Sequence, residues 1–524
     1  MRRFLLLLCS LLLASTAQAL TPQQARAIAA GDTDERIAAL NAAATNADPG
    51  LAVFVKALLD DAVKLTPTQV LVIDGSKVSD ATTGAAASLP ETAEDVVNNN
   101  RMRGALQAAL AALKLFSPDL AARREAVTEL IKQTLDESHL PLLDKALASE
   151  TDTVLKAKLG LLRAALMVAS PDKSKRLDAA LALSQASDPA VKSILIERIA
   201  TEPDAEVKAA LTSALAALDR QLAWGERLGL IFTGISLGSI LLLVALGLAI
   251  TYGLMGVINM AHGELMMVGA YATYLVQNAF RAWLPTAFDY YVLLAIPASF
   301  LAAALVGAVL ERSIIRWLYG RPLETLLATW GISLVLMQTV RSLFGAQNVA
   351  VENPAWLSGG VAVMSNLTLP FNRIAIIGFA LLVLGGVALM IAKTRLGLFV
   401  RGVTQNRRMA ACMGVNTARI DTYAFSLGAG IAGLAGCALS QIGNVGPDLG
   451  QSYIVDSFMV VVLGGVGQLA GTVIAALGLG VLNKLLEGVA GAVLAKIMVL
   501  VFIVVFIQKR PQGLFAMKGR SAEA

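Results

Sequence analysis

Tyr252-Gly253-Leu254-Met255-Gly256-Val257-Ile258-Asn259-Met260-Ala261-His262-Gly263-Glu264 sets an asparagine, a histidine and a glutamate inside otherwise apolar sequence of membrane-spanning length. An ionisable side chain at bilayer depth is costly unless it faces a cavity or a partner, so His262 and Glu264 read as pathway residues. Glycines at 253, 256 and 263 weaken a continuous helix, and irregular backbone at that depth is viable only where protein or water covers it. The stretch therefore predicts a broken membrane helix, with Gly256 and Gly263 at the break. The same residues also fit a loop between two spans, in which Asn259 and His262 cap a helix beginning near Gly263.

Outward from this stretch the chain is a series of apolar segments. Candidate spans run from Leu228 to Ala249, Leu265 to Phe280, Tyr291 to Leu310, Leu323 to Phe344, Ile374 to Ala392, Tyr423 to Ser440, Ile454 to Leu482 and Val493 to Ile507. Gly464, Gly465 and Gly467 interrupt the seventh, making it one bent span or two short ones, so eight or nine crossings are expected. If the N-terminal region is exported, Arg312, Arg316 and Arg321 and the loop from Lys393 to Arg419 fall on the cytoplasmic side, as the positive-inside rule requires. A basic tail with Lys509, Arg510, Lys518 and Arg520 on that same side favours nine.

The charge divides the chain in two. From Leu20 to Glu226 there are 22 Lys+Arg against 28 Asp+Glu, whereas from Arg227 onward there are 19 against 10. Two environments are implied. Met1-Arg2-Arg3, the apolar run Phe4 to Leu13 and Ala17-Gln18-Ala19 read as a secretory signal over residues 1–19, with an uncleaved anchor as the alternative. Residues 20–223 then form an exported domain and residues 224–524 a membrane domain. Of the cysteines, Cys9 lies in the signal and Cys412 and Cys437 in the membrane domain, so the exported domain has no disulfide available.

Helix-start signals at Asp119, Asp188-Pro189 and Pro203-Asp204, each followed by apolar residues at helical spacing, suggest stacked helix pairs of HEAT-like type. Val70-Leu71-Val72-Ile73-Asp74-Gly75 interrupts them as a strand and turn. His139 has no companion ligands, which argues against a metal site. The expected fold is all-α: a polytopic helical membrane domain with broken helices, preceded by a helical HEAT-like domain.

The basic loop over residues 393–421 is too patterned for a connector. Val403, Arg407, Ala410 and Ala411 fall at helical spacing, Gly414 is a natural stop, and Met409 and Met413 form an apolar tip suited to a partner's groove. A basic interfacial helix on anionic lipid is the alternative. No Gly-x-x-x-x-Gly-Lys-Ser/Thr occurs, so the chain carries no phosphate-cradling loop, and no nucleophile and base stand in catalytic order. An enzyme is not expected, nor a cofactor, a metal or a nucleic-acid partner.

Gly256-x-Ile258-Asn259-x-Ala261-His262-Gly263-Glu264 with Gly269-Ala270-Tyr271, then Glu311-Arg312, Arg321-Pro322-Leu323, Thr394-Arg395-Leu396-Gly397, Val462-Leu463-Gly464-Gly465-Val466-Gly467 and Arg510-Pro511-Gln512-Gly513 occur in this order. Together they resemble the permeases of branched-chain amino-acid and amide ABC importers. Gln405 to Val415, Ser440 to Pro447 and Tyr453 to Phe458 look most like the urea-transport permeases of that family. The resemblance implies an inner-membrane permease for urea, or alternatively for branched-chain amino acids or short-chain amides. Its expected partners are a second permease subunit in a heterodimer, two cytoplasmic ATPase subunits and a periplasmic binding protein. The candidate path is Asn259, His262, Glu264, Tyr271, Gln441, Asn444 and Asp456. Arg401, Gln405, Asn406, Arg407, Arg408, Met413 and Gly414 are the candidate ATPase-coupling set. An ion-coupled transporter using Glu264, Glu324 and Asp456, and a membrane-anchored sensor, are the other classes that the residues permit.

Overall fold

The computed structural model describes residues 20–515, apart from 45–48, 76, 91–92, 133–136 and 257. The signal segment expected at residues 1–19 lies outside them. The chain divides into two compact units between Leu222 and Ala223.

The first unit is helical around one small sheet. Its helices are α1 (Pro22–Ala29), α2 (Thr33–Ala44), α3 (Pro49–Leu59), α4 (Asn100–Lys114), α5 (Leu120–Lys132), α6 (Leu140–Ser149), α7 (Thr153–Met167), α8 (Lys173–Ser184), α9 (Ala190–Thr201) and the start of α10 (Ala205–Met255). Strands β1 (Val63–Leu65), β2 (Val70–Asp74), β3 (Lys77–Asp80) and β4 (Glu94–Asp95) pair antiparallel in the order β3-β2-β1-β4. The expected strand at Val70 is thus one of four. The other three are only two to four residues long, too short for alternation to reveal them.

A repeated staple organises the helices. Arg36, Arg123 and Arg176 each occupy the fourth position of α2, α5 and α8. Each side chain reaches back to a carbonyl upstream of its helix and across to a residue lying ahead of a later helix. Arg36 donates to the carbonyls of Ile28 (2.8 Å) and Val97 (3.1 Å) and to Asn98, two residues ahead of α4. Arg123 donates to the Ser117 and Pro118 carbonyls and pairs with Glu150 (2.9 Å) ahead of α7. Arg176 donates to the Ser170 and Pro171 carbonyls and pairs with Glu202 (3.3 Å) ahead of α10. Glu150 also accepts from the Thr151 and Asp152 amides, and Asp152 caps α7. Each guanidinium thereby meets both carbonyls and a side-chain acceptor, as removal of a charge from water demands.

The second unit continues from α10 into α11 (His262–Trp283), α12 (Tyr291–Ser313), α13 (Pro322–Phe344), a hairpin of β5 (Gly360–Met364) and β6 (Leu367–Pro370), α14 (Phe371–Lys393), α15 (Arg395–Gln405), α16 (Arg407–Cys412), α17 (Thr417–Ser440), α18 (Leu449–Gly464), α19 (Leu469–Ala490) and α20 (Ala492–Lys509). Among the described residues seven helices are long and apolar enough to cross a membrane. These are α10, α12, α13, α14, α17, α19 and α20. The more polar α11 and the 16-residue α18 complete the series. The glycine-interrupted segment is two helices, because Gly465 (φ +96°) and Gly467 (φ +77°) take left-handed backbone and turn the chain between α18 and α19.

The centre of this unit is α17, 83% buried over its apolar window, against 22% for α13 and α14. Glycine makes that centrality possible. A Cβ at Gly436 of α17 would lie 2.0 Å from the Met266 carbonyl of α11, and one at Gly269 would lie 2.2 Å from the Gly433 carbonyl. Between apolar helices in lipid, close backbone approach of this kind replaces the hydrophobic effect as the source of association.

Candidate functional site

The quoted stretch forms a break between α10 and α11. After Met255 the chain turns at Gly256 (φ +66°), whose amide still bonds the Tyr252 carbonyl (2.9 Å). Asn259 closes the connection by accepting from the Ala261 amide (3.0 Å), while its carbonyl accepts from His262 (3.3 Å). No side chain caps α11, whose N-cap is Ala261. Gly263 is not itself a break. It lies in the first turn of α11, where a Cβ would sit 2.4 Å from the Gly450 carbonyl of α18, so its smallness serves packing. Gly464 likewise remains helical as the last residue of α18, pressed against Gly471.

The break lies level with the middle of its neighbours. His262 Nε2–H donates to the Val244 carbonyl (3.2 Å), well back along α10. A Cβ at Gly247 would lie 3.1 Å from the His262 ring and 2.4 Å from the Gly428 carbonyl, halfway along α17. Glu264 Oε1 accepts from Ser333 Oγ (2.9 Å), halfway along α13. One turn before Ser333, Thr329 Oγ1 accepts from the Met260 amide (3.2 Å). Thr325, Thr329 and Ser333 therefore present a stripe of buried hydroxyls at four-residue spacing, two of which hold the break.

Asn259, His262, Glu264 and Tyr271 are all buried to within 2% exposure, yet each keeps a polar atom unpaired: Asn259 Nδ2, His262 Nδ1, Glu264 Oε2 and the Tyr271 hydroxyl. Buried polar atoms are normally satisfied, so four exceptions within a few turns mark this as the chemically exceptional region of the unit. The set offers an amide donor, a carboxylate, a hydroxyl and, in a neutral imidazole, an Nδ1 acceptor. Tyr271 packs against Phe344 in a tilted ring pair, with centroids 4.7 Å apart.

The other candidate path residues lie elsewhere. Gln441 belongs to a polar knot at the far ends of α11, α12 and α17. There the Gln441 amide donates to the Tyr291 hydroxyl (3.1 Å), Tyr291 donates to the Glu352 carbonyl (2.7 Å), and Gln277 accepts from the Glu352 amide (2.8 Å). Thirteen residues of helix separate Gln277 from Glu264, about 20 Å. Asn444 is exposed near the same end, and Asp456 is half-buried on α18 with Lys496 of α20 as its opposite charge.

The basic loop folds as α15 and α16 instead of one helix. Asn406 separates them in extended conformation (φ −154°) and caps α16 by accepting from the Met409 amide (2.9 Å). Gly414 (φ +83°) ends the segment, and Asn416 caps α17. Leu398, Phe399, Arg401, Gln405, Met409 and Met413 line a cleft of about 470 Å³, with Met409 60% and Met413 77% exposed. Arg408 is exposed beside it. Arg407 turns inward and grips Asp421 of α17. Sequence reasoning missed that inner set, Asp421, Glu311, Tyr319 and Thr422, and also Ser333 and Thr329.

The family model for the branched-chain amino acid transport system permease component matches residues 230–507, just over half of the chain. The chain is 31% identical over 270 residues to the high-affinity branched-chain amino acid transport system permease protein LivH of Salmonella typhimurium, covering 48% of this chain and 84% of that protein. With the corresponding protein BraD of Pseudomonas aeruginosa it shares 28% over 287 residues, 54% of this chain and 93% of the relative. A shorter likeness, 36% over 127 residues, joins it to the autoinducer 2 import system permease protein LsrC of Salmonella paratyphi B, covering 23% of this chain and 37% of that one. No solved structure gives a significant match. The chain belongs to the branched-chain amino acid transport permease family, as a multi-pass membrane subunit.

Proposed function

We propose that this chain forms the substrate path of an ATP-driven importer in the inner membrane, and that its substrates belong to the branched-chain amino acid class. The observation that carries the reading is the helix break level with the middle of its neighbours, where buried Asn259, His262 and Glu264 each keep an unpaired polar atom, with the unpaired Tyr271 hydroxyl about two turns on along α11. Intramembrane polar groups at a broken helix are the usual place for a transporter to hold its cargo. The relatives' names supply the substrate class. Urea or a short amide is the second reading, supported by the resemblance of Gln405 to Val415 and Ser440 to Pro447 to the urea permeases.

The partners in this reading are a second permease, two cytoplasmic ATPase subunits seated on the α15–α16 cleft, and a periplasmic binding protein. The acidic first unit lies on the periplasmic side as a HEAT-like accessory dock, either for that binding protein or for the partner permease. Uptake of labelled leucine and labelled urea by the complete complex in proteoliposomes tests the reading. ATP-dependent leucine uptake supports it. Uptake of urea alone selects the second reading, and ATP-independent uptake driven by an ion gradient rejects both.

A further inference from the structure

A cluster of charged and phenolic side chains at the basic ends of α12 and α17 is used by neither the helix break nor the exposed cleft. Asp421 and Glu311 are both fully buried. Both Arg407 guanidinium amines reach the Asp421 carboxylate, and the same guanidinium lies 5.1 Å from the centre of the Tyr319 ring. The Tyr319 hydroxyl donates to Glu311 Oε1 (3.1 Å) and sits 2.9 Å from Met255 Sδ. Glu311 Oε2 accepts from Thr422 Oγ1 (2.6 Å), with Arg316 Nη2 at 3.7 Å.

We propose that Arg407, Asp421, Tyr319 and Glu311 are positioning residues of transport, a latch that ties the docking segment to the helix break. The inference rests on the reading of the chain as an ATP-driven permease. Arg407 opens α16, the element nearest the proposed ATPase seat. Met255 is the last residue of α10, and Gly256 after it carries the left-handed backbone on which the break turns. Two contacts separate them, Arg407 to Tyr319 and Tyr319 to Met255. A displacement of α16 cannot leave Asp421 behind, because an unpaired carboxylate buried at that point is strongly disfavoured. The shift is therefore shared by the base of α17, by Tyr319 and by the start of the break. Such a bonded cluster acts as a rigid element whose two arrangements a partner can bias.

The test uses the complete complex and three variants. Tyr319→Phe keeps the ring beneath Arg407 but removes the hydroxyl between Glu311 and Met255. Arg407→Lys keeps the charge and loses the two-pronged grip on Asp421. Met413→Asp attacks the exposed cleft alone. For Tyr319→Phe and Arg407→Lys the expected result is normal recovery of the ATPase subunits and continued ATP hydrolysis. Substrate moved per ATP hydrolysed should fall about fivefold or more. Met413→Asp should instead lose ATPase recovery. A wild-type ratio in both latch variants overturns the latch and leaves the permease reading standing. So does a lowered thermal midpoint with an unchanged ratio, which marks a purely structural cluster. Absence of ATP-driven uptake by the unaltered complex rejects the permease reading itself.

Discussion

Glu264 shows how a single residue sets the terms of this site. One carboxylate oxygen is held by Ser333 and the other is unpaired, although the residue is only 1% exposed. Glu264→Gln preserves shape and the Ser333 contact while removing the charge. Loss of the charged oxygen that the proposed function offers to substrate, about 1–3 kcal/mol, corresponds to a fall in uptake of about 5- to 150-fold, with recovery of the assembled complex unchanged. Steric demand is equally local at Gly436. There a Cβ 2.0 Å from the Met266 carbonyl cannot be accommodated without moving α11 off α17. Gly436→Leu should abolish recovery of folded protein from the membrane, read as loss of the monodisperse peak in size-exclusion chromatography.

Among elements, the Arg123–Glu150 staple of the first unit carries a pH dependence. The Arg123 hydrogen bond holds the Glu150 carboxyl below its ordinary value of 4.5, outweighing the opposing effect of its burial. A carboxyl depressed on folding contributes stability above its unfolded pKa, and that contribution is lost as pH falls through the lower folded value. The first unit should therefore resist proteolysis at neutral pH and lose that resistance on acidification below about 4.5. Glu150→Gln should shift the whole profile toward lower resistance and flatten its acid limb. An acid limb identical in wild type and variant contradicts the assignment.

What was legible in the sequence follows from cost. Glu264 and His262 stood out because charge in an apolar segment demands a reason, and Gly465 and Gly467 because glycine allows the backbone that turns a chain. Ser333 and Thr329 did not, since a hydroxyl in a membrane helix can bond its own preceding turn and need signify nothing. Their four-residue spacing with Thr325 was the signal available. Arg407 looked like one more basic surface residue of a docking loop. Its inward partner, Asp421, is fourteen residues away in sequence, and Tyr319 lies in another loop altogether.

For the whole molecule, the proposed function makes the second unit the path and the α15–α16 cleft the input from an ATPase. Met409 and Met413 are exposed at one rim, and unpartnered methionine on a basic surface suits an adaptable groove. Everything in this reading depends on the break between Met255 and His262 facing the substrate. Thiol accessibility is the decisive experiment. Cys412 and Cys437 are replaced by alanine or serine, Asn259→Cys is introduced, and the complete complex in proteoliposomes is exposed to a small polar thiol reagent. The expected result is labelling of the introduced thiol that rises during ATP turnover and is suppressed by saturating transported substrate. Labelling that is absent in every state, or unaffected by substrate in a complex that transports, contradicts it.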